Sequence, residues 1–238
     1  MTTTNHTPPP VTTPDTATRR VAMLGNPNVG KSTLFGRLAG ARVRTANFPG
    51  TTQSAEITRV GSRELIDLPG TYALEDDSPE AALCRAVLAG HDPDRPAADD
   101  DTPAHVPDAV CIVLDAANLA RNLRLAGEAI RLGLPTLILI NRTDQAERRG
   151  LTINPNSLAD LLGCEALLTN GLTGRGVEAV LPALGRARIP NPLPNDQSLR
   201  DWAEQTAATV TTGAAAHNAD TTTDRLDDLL THPALGTA

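Results

Sequence analysis

The chain has 238 residues, a formal net charge of −7, 40% hydrophobic residues and only 2% aromatic residues. A chain of this length forms one domain with a short addition, and its core is expected to be aliphatic. The acidic balance argues against a nucleic-acid surface, because such a surface neutralises phosphates with clustered lysine and arginine.

The N-terminal residues 1–19 are rich in threonine and proline and are expected to form a disordered tail. They lack the charged-then-apolar pattern of a signal peptide. The apolar runs further along are about seven residues long, far short of the ~20 that cross a bilayer. The sequence therefore predicts a soluble chain.

The first predicted strand, residues 20–25, runs directly into Gly25-Asn26-Pro27-Asn28-Val29-Gly30-Lys31-Ser32, and a helix is predicted over residues 31–39. A G-x-x-x-x-G-K-S pattern between a strand and a helix is typical of a loop that binds the phosphates of a nucleoside triphosphate. Main-chain N–H groups and the helix dipole face the phosphates, Lys31 adds a positive charge, and Ser32 can ligate Mg²⁺. The residues predicted to bind the nucleotide here are Asn28, Val29, Gly30, Lys31, Ser32 and Thr33.

A glycine- and proline-punctuated loop, Asn47-Phe48-Pro49-Gly50-Thr51-Thr52, is suited to a first switch. A threonine of such a switch closes over Mg²⁺ when the γ-phosphate is present. From the residues alone, either Thr51 or Thr52 can have this role.

The motif Asp67-Leu68-Pro69-Gly70 follows two predicted strands, residues 55–60 and 63–67. Asp67 is predicted to hold Mg²⁺ through water, as phosphate-loop nucleotidases use a carboxylate at this place. The Gly70 N–H is predicted to sense the γ-phosphate, because glycine permits a close approach. An ordinary turn is the alternative interpretation.

The middle of the chain carries a helix predicted over residues 79–88 and a proline- and aspartate-rich insertion over residues 91–107. A solvated linker is expected there, with a metal-capturing loop as the alternative. The three cysteines Cys84, Cys111 and Cys164 are odd in number and widely spaced. They predict buried reduced thiols rather than a disulfide or metal framework.

The base is predicted to be guanine. Asn141-Arg142-Thr143-Asp144 follows the predicted strand at residues 136–140, and the Asp144 carboxylate can accept two hydrogen bonds from guanine N1–H and the N2 amino group. Asn141 would tie the loop together, and the aliphatic stem of Arg142 would lie against the base. A helix cap is the alternative interpretation of this pattern.

The remaining elements complete an α/β pattern. Strands are predicted over residues 109–114 and 166–169, and helices over residues 120–132, 155–162 and 176–186. The expected fold is a doubly wound, mostly parallel, six-stranded sheet of the P-loop GTPase type. Ligands of such folds bind beyond the carboxyl ends of the strands, where the motifs fall.

A proline-rich break at residues 189–194 divides the predicted GTP-binding domain, residues 20–187, from a short helical C-terminal appendage, residues 188–238. Ser198 is predicted to cap a helix that runs to about Ala216. A second helix is predicted over residues 224–230.

Taken together, these motifs resemble the cytosolic GTPase domain of the bacterial ferrous iron transport protein B (FeoB) family. The residues that carry the resemblance are GNPNVGKSTL (25–34), NFPGTT (47–52), DLPGTYAL (67–74), DAANLARNL (115–123), NRTDQAERRG (141–150) and TNGLTGRGV (169–177). It covers residues 20–184, and the third and fourth stretches are the most particular to the family.

The resemblance implies a slow GTPase that uses GTP and Mg²⁺, with Thr52 at the switch position and Thr52, Gly70 and Lys31 as catalytic residues. The metal ligands implied are Ser32, Thr52 and Asp67 for Mg²⁺, and Asn28 for K⁺ in potassium-stimulated members. Asn170 and Gly171 stand where the family usually has Ser-Ala, and Gly171 can still offer its N–H to guanine O6.

The resemblance also implies a partner and a place in the cell. The partner is the membrane-embedded portion of the same full-length protein, and the chain would lie at the cytoplasmic face of the bacterial inner membrane. The family usually carries a larger helical domain where residues 190–223 stand here.

Two other functions remain open from the sequence. One is an Era/EngA-like RNA- or ribosome-associated GTPase, which should carry a basic appendage that this chain lacks. The other is a nucleotide-gated interaction module with negligible turnover, because no glutamine follows Gly70 to orient water.

Overall fold

The computed structural model describes residues 19–40, 43–47, 53–91 and 105–213. Residues 1–18 of the predicted N-terminal tail, Thr51 and Thr52 of the first switch, most of the insertion and the second C-terminal helix lie outside the described residues. The last residue of that predicted tail, Arg19, is instead the first residue of a strand that pairs with Arg63.

A seven-stranded sheet forms the centre of the fold, with a separate pair of two-residue strands beside it. The strands are β1 (Arg19–Gly25), β2 (Arg44–Asn47), β3 (Ser54–Val60), β4 (Arg63–Asp67), β5 (Ala109–Asp115), β6 (Thr136–Asn141), β7 (Thr152–Ile153), β8 (Glu165–Leu168) and β9 (Thr211–Thr212). The large sheet has the order β2-β3-β4-β1-β5-β6-β8. All its pairings are parallel except the two made by β3, which runs antiparallel to both β2 and β4.

The described helices surround this sheet. They are α1 (Lys31–Ala39), α2 (Pro79–Leu88), α3 (Leu119–Ile130), α4 (Thr143–Arg148), α5 (Pro155–Leu162), α6 (Val180–Leu184) and α7 (Leu199–Val210). The bounds of α1, α2 and α5 match the prediction. Prolines at the first position and side-chain caps at Ser78 and Asn154 define the start of α2 and α5.

The sheet has a buried layer on each face, so its central strands are apolar throughout. Along β5, Val110, Ile112 and Leu114 pack into one cluster with α2, α3, α5 and α7. Their neighbours Ala109, Cys111 and Val113 pack into the other cluster with α1 and α6. This double burial explains the continuous apolar run and confirms the doubly wound architecture.

The sheet has seven strands in the described residues, so the prediction of six was one strand short. The strand that was missed, β2, lies at the edge of the sheet and has the sequence Arg-Thr-Ala-Asn. Ala46 is buried, whereas Arg44 and Thr45 before it are exposed, so the segment carries no apolar run to indicate a strand.

Three helix predictions needed correction at their ends. The helix predicted over residues 120–132 is α3, Leu119–Ile130. The helix predicted over residues 176–186 is a 3₁₀ turn, Val177–Ala179, followed by the short α6. The helix capped by Ser198 ends at Val210 rather than near Ala216, because Thr211–Thr212 pairs as β9 with β7. Helix α4 and both strands of this small sheet were not predicted.

Helix α7 packs on α3. Its buried residues Trp202, Ala203 and Val210 belong to the same cluster as the buried face of α3. Gly127 allows this approach, because a Cβ there would lie 3.0 Å from the Trp202 ring. The division at residues 187 and 188 stays a prediction. Within the described ranges, every helix is too short or too polar to cross a bilayer.

We expect Trp202→Ala to lower the free energy of unfolding of the whole fold by about 3 kcal/mol, because it leaves a cavity between α3 and α7. Urea titration followed by far-ultraviolet circular dichroism measures this change. The control is Gln205→Ala, at an exposed position of the same helix. An unchanged main transition in Trp202→Ala would mean that α7 is an independent appendage.

Candidate functional site

The predicted motifs meet at one edge of the sheet. β1, β4, β5, β6 and β8 are parallel neighbours, so the loops after their carboxyl ends lie side by side. These loops begin after Gly25, Asp67, Asp115, Asn141 and Leu168.

The loop between β1 and α1 turns through two residues in the left-handed region, Asn28 with φ 63° and Gly30 with φ 83°. A side chain at Gly30 would strike the amide of Asn141, since a Cβ there would lie 2.5 Å from Asn141 Nδ2. Glycine is therefore required by both backbone and space. Helix α1 begins at the next residue, Lys31. The N–H groups of its first turn and the positive end of its dipole therefore face this loop.

Lys31, Ser32 and Asp67 form a compact polar cluster at the start of α1. The Lys31 ammonium donates to Asp67 Oδ1 at 2.5 Å and to the Leu68 carbonyl. The Ser32 hydroxyl donates to Asp67 Oδ2 at 2.7 Å. Lys31 and Asp67 are both buried, so their pairing is what makes burial of either charge tolerable.

The loop after Asp67 lies directly against the loop between β1 and α1. A Cβ at Gly70 would lie 2.9 Å from Pro27 Cα, so only glycine fits there without a shift. The Thr71 N–H donates to the Gly25 carbonyl at 3.3 Å. The Thr71 hydroxyl donates to the Ala73 carbonyl at 2.8 Å.

Asn141 joins two of the loops through its buried side-chain amide. Its Nδ2 donates to the Val29 carbonyl at 2.8 Å, and its Oδ1 accepts from the Gly171 N–H at 2.9 Å. The tie expected of Asn141 is therefore present between the first loop and the loop after β8. The Gly171 N–H, which was expected to reach guanine O6, is engaged by Asn141 in this arrangement.

Asn170 orients the carboxylate of Asp144. Its Oδ1 accepts from the N–H groups of Leu172 and Thr173, at 3.0 and 2.9 Å. This fixes Nδ2 toward Asp144 Oδ1, to which it donates at 2.8 Å. Arg148 donates to the other oxygen at 3.0 Å. A carboxylate oxygen accepts more than one bond, so both oxygens can accept further donors.

The Arg142 guanidinium makes a contact that the sequence did not indicate. Its Nη1 donates to the Asn28 carbonyl and to Asp115 Oδ2, both at 3.0 Å. Arg142 itself lies directly after β6 and has φ 62°, in the left-handed region. The head group thus joins three loops.

Asp115 is a structural residue of the site that residue-level reasoning did not identify. It is buried at the end of β5, caps the turn Ala116–Asn118 through the Ala117 N–H at 2.9 Å, and accepts from Asn118 Nδ2 at 3.0 Å. The available signal was an aspartate directly after an apolar strand, followed by two asparagines.

The groups at this edge of the sheet are suited to a ligand with an anionic group at one end and a polar ring at the other. One end offers a lysine, a hydroxyl and the N-terminus of α1, and the other offers the Asp144 carboxylate held by Asn170. No cluster of three or more His, Cys, Asp or Glu side chains suited to a metal occurs in the described part of the chain.

Residues 19–184 match the family model described as ferrous iron transport protein B. A Fe(2+) transport protein A/Fe(2+) transporter FeoB fusion protein of Porphyromonas gingivalis is 37% identical over 183 residues, 73% of this chain and 20% of that protein. The Fe(2+) transporter FeoB of Escherichia coli K12 is 33% identical over 175 residues, 70% of this chain and 21% of that protein. The chain thus spans about a fifth of the length of these relatives.

Solved structures give the same match. A GDP-bound mutant of S. thermophilus NFeoB has 32% identity and a TM-score of 0.62, covering 73% of this chain and 62% of that one. The cytosolic domain of L. pneumophila FeoB has 30% identity and a TM-score of 0.63, covering 75% and 74%. The T. maritima cytosolic domain in its GMPPNP form, at 22% identity and a TM-score of 0.67 over 82% and 99% of the two chains, shares the fold.

All three cysteines are buried and free, as expected of reduced thiols. Burial raises the pKa of Cys84, Cys111 and Cys164 to about 12 in each case. A raised pKa keeps the thiol protonated at pH 8, so little of the reactive thiolate is present.

We therefore expect an aromatic disulfide reagent at pH 8 to leave the folded protein almost unlabelled and to label all three thiols after denaturation. Absorbance of the released thiolate measures both. Cys84 is the informative position, because its Sγ lies 3.5 Å from the Pro69 carbonyl of the Asp67–Gly70 loop. Rapid labelling of the folded protein that disappears in Cys84→Ser would contradict the buried position of this thiol.

Proposed function

This chain belongs to the ferrous iron transport protein B family, as its N-terminal GTPase domain, and we propose that it is the GTP-binding and GTP-hydrolysing switch of a bacterial iron(II) transporter. The observation that carries the proposal is the convergence of a lysine-bearing phosphate loop and a fixed carboxylate, Asp144, at one edge of the sheet.

The phosphate end of the site is proposed to consist of Asn28, Val29, Gly30, Lys31, Ser32 and Thr33. Lys31 lies where its ammonium can pass from Asp67 to the β- and γ-phosphates. The N-terminus of α1 supplies main-chain donors and a positive potential for the same phosphates.

Ser32 and Asp67 fit Mg²⁺, because a hydroxyl and a carboxylate oxygen lie 2.7 Å apart and Mg²⁺ prefers oxygen ligands. Bound there with the nucleotide, the ion would neutralise charge on the phosphates. Thr52 is proposed as a further ligand from the first switch, a segment outside the described residues.

The base is proposed to be guanine, bound by Asp144 through the N1–H and the N2 amino group. Asn170 supports this role, because it holds one Asp144 oxygen at 2.8 Å while its own orientation is fixed by two main-chain donors. Asn141, Arg142, Asn170 and Gly171 complete the proposed base pocket. The Gly171 N–H is proposed to leave Asn141 Oδ1 and to donate to guanine O6 when the nucleotide binds.

Hydrolysis is proposed to be slow, with Lys31, Gly70 and Thr52 around the γ-phosphate. The position of Gly70 against Pro27 supports contact of its N–H with that phosphate. The residue after Gly70 is Thr71, whose hydroxyl is engaged by the Ala73 carbonyl, so the water is proposed to be held by main-chain and switch groups.

The full-length context is part of the proposal, since the chain spans about a fifth of the relatives' length. The membrane-embedded portion of the same protein would be its partner, with this domain at the cytoplasmic face of the inner membrane. The Era/EngA-like alternative is disfavoured by the net charge of −7, because RNA binding requires clustered lysine and arginine to neutralise phosphates.

We expect Asp144→Asn to weaken GDP binding about 100-fold and to raise the affinity for xanthosine diphosphate, because the amide presents a donor where guanine needs an acceptor. Calorimetric titration with both nucleotides measures this. The control is Glu147→Gln, which alters an exposed carboxylate on the same short helix α4. Unchanged guanine affinity and selectivity in Asp144→Asn would refute the assignment of the base.

Asn28 is the proposed K⁺ ligand, supported by its exposed side chain at the phosphate loop. A cation beside the phosphates stabilises developing charge. We expect GTP hydrolysis to be at least about ten-fold faster in KCl than in NaCl of equal concentration. We also expect Asn28→Ala to remove the difference, while Asn156→Ala, an exposed asparagine on α5, retains it. Equal rates in the two salts for the unaltered chain would exclude potassium stimulation.

A further inference from the structure

The segment between Gly70 and α2 has neither helix nor strand, so its main-chain polar groups depend on side chains from elsewhere. Leu74 is its anchor. Its side chain is buried in the cluster that contains α2 and α3, although both its sequence neighbours are more exposed.

Glu128 of α3 accepts the Leu74 N–H. The two residues are 54 positions apart, so this bond fixes the segment to a distant helix rather than to its own turn. Arg85 of α2 binds the other side of the same segment, donating to the carbonyls of Leu74 and Asp76. Glu128 therefore holds the main chain of the segment from the side of α3.

A third contact lies one helical heptad before Glu128. The Arg121 guanidinium stacks 4.6 Å from the centre of the Tyr72 ring. Residues seven apart lie on the same face of a helix, so Arg121 and Glu128 present one face of α3 to residues 72–74.

This anchor is close to the proposed phosphate sensor. Leu74 lies four residues after Gly70, which is in contact with Pro27, and the Thr71 N–H donates to the Gly25 carbonyl at 3.3 Å. Only a short stretch of main chain separates Leu74 from Gly70. A displacement of Leu74 is therefore expected to displace Gly70 as well.

We propose that Glu128 is a positioning residue for GTP hydrolysis, which holds Leu74 and thereby keeps Gly70 against the phosphate loop. This inference rests on the proposed GTPase function. It assigns to α3 a role in the chemical step, although no side chain of α3 is part of the proposed nucleotide pocket.

The charge of Glu128 is favoured by its main-chain contacts and opposed by burial and by neighbouring carboxylates. Burial raises the pKa of Glu128, main-chain hydrogen bonds from Leu74 and Glu75 lower it, and the nearby carboxylates of Glu75 and Asp76 raise it further. A glutamine at this position would keep an acceptor oxygen for the Leu74 N–H without the repulsion from Glu75 and Asp76. The comparison of Glu128→Ala with Glu128→Gln therefore separates the acceptor from the charge.

The test measures steady-state GTP hydrolysis, GDP affinity and amide hydrogen exchange for the full chain and three variants. In Glu128→Ala we expect kcat to fall about ten-fold, while KM for GTP and Kd for GDP change by less than about two-fold. We expect the Leu74 amide of this variant to exchange about ten-fold faster. Glu128→Gln should restore kcat and protection. The control is Arg124→Ala, an exposed residue of the same helix, which should match the unaltered chain.

An unchanged kcat in Glu128→Ala, or a fall in kcat matched by loss of GDP affinity, would overturn the inference. Failure of the proposed function is distinct, because the unaltered chain would then not hydrolyse GTP at all. In that event the exchange of the Leu74 amide decides the structural part: unchanged exchange in Glu128→Ala refutes the contact, and faster exchange supports it.

Discussion

The buried pair of Lys31 and Asp67 is the interaction on which the site depends. It joins the first residue of α1 to the last residue of β4, and it is completed by the Ser32 hydroxyl at 2.7 Å. Removing one member would leave the other charge buried without a partner, at a cost of about 3 kcal/mol or more. The same groups form the proposed phosphate and Mg²⁺ site, so this buried polar cluster lies where a charged ligand would replace its contacts.

Asn141 and Arg142 extend this cluster across the sheet edge. Asn141 joins Val29 to Gly171, and Arg142 joins Asn28 to Asp115. Through these bonds the segments at the carboxyl ends of β5, β6 and β8 are connected to the phosphate loop. The packing of α3 continues the connection away from the pocket. In α3, Glu128 accepts the Leu74 N–H. The adjacent Gly127 packs against Trp202 of α7.

Local signals were enough to predict much of the fold. Helices α2 and α5 begin with a side-chain cap followed by proline, and the strands buried on both faces are unbroken apolar runs. The elements that were missed lack such signals: β2 is a polar edge strand, β7 and β9 have two residues each, and α4 follows a residue at positive φ. Of these, the pair of β7 and β9 also depends on a contact between distant parts of the chain, since Thr152 pairs with Thr212.

The site divides in the same way. Motif spacing was sufficient to place Lys31, Asp67, Asn141 and Asp144 at one edge, because parallel strands align their carboxyl ends. It gave no indication of the bond between Arg142 and Asp115, of the two-sided role of Asn170, or of Glu128. Each of these depends on the orientation of a side chain across a gap of more than 25 residues, as for the 27 positions between Asp115 and Arg142.

Calorimetric titration of the full chain with GTP and with ATP tests the account most directly. Mg²⁺ is present, and each titration is completed before the nucleotide is appreciably hydrolysed. The Asp144 carboxylate and the lysine-bearing loop together predict binding of GTP at least about 100-fold tighter than ATP. Equal affinity for the two nucleotides, or no binding of either, would contradict it.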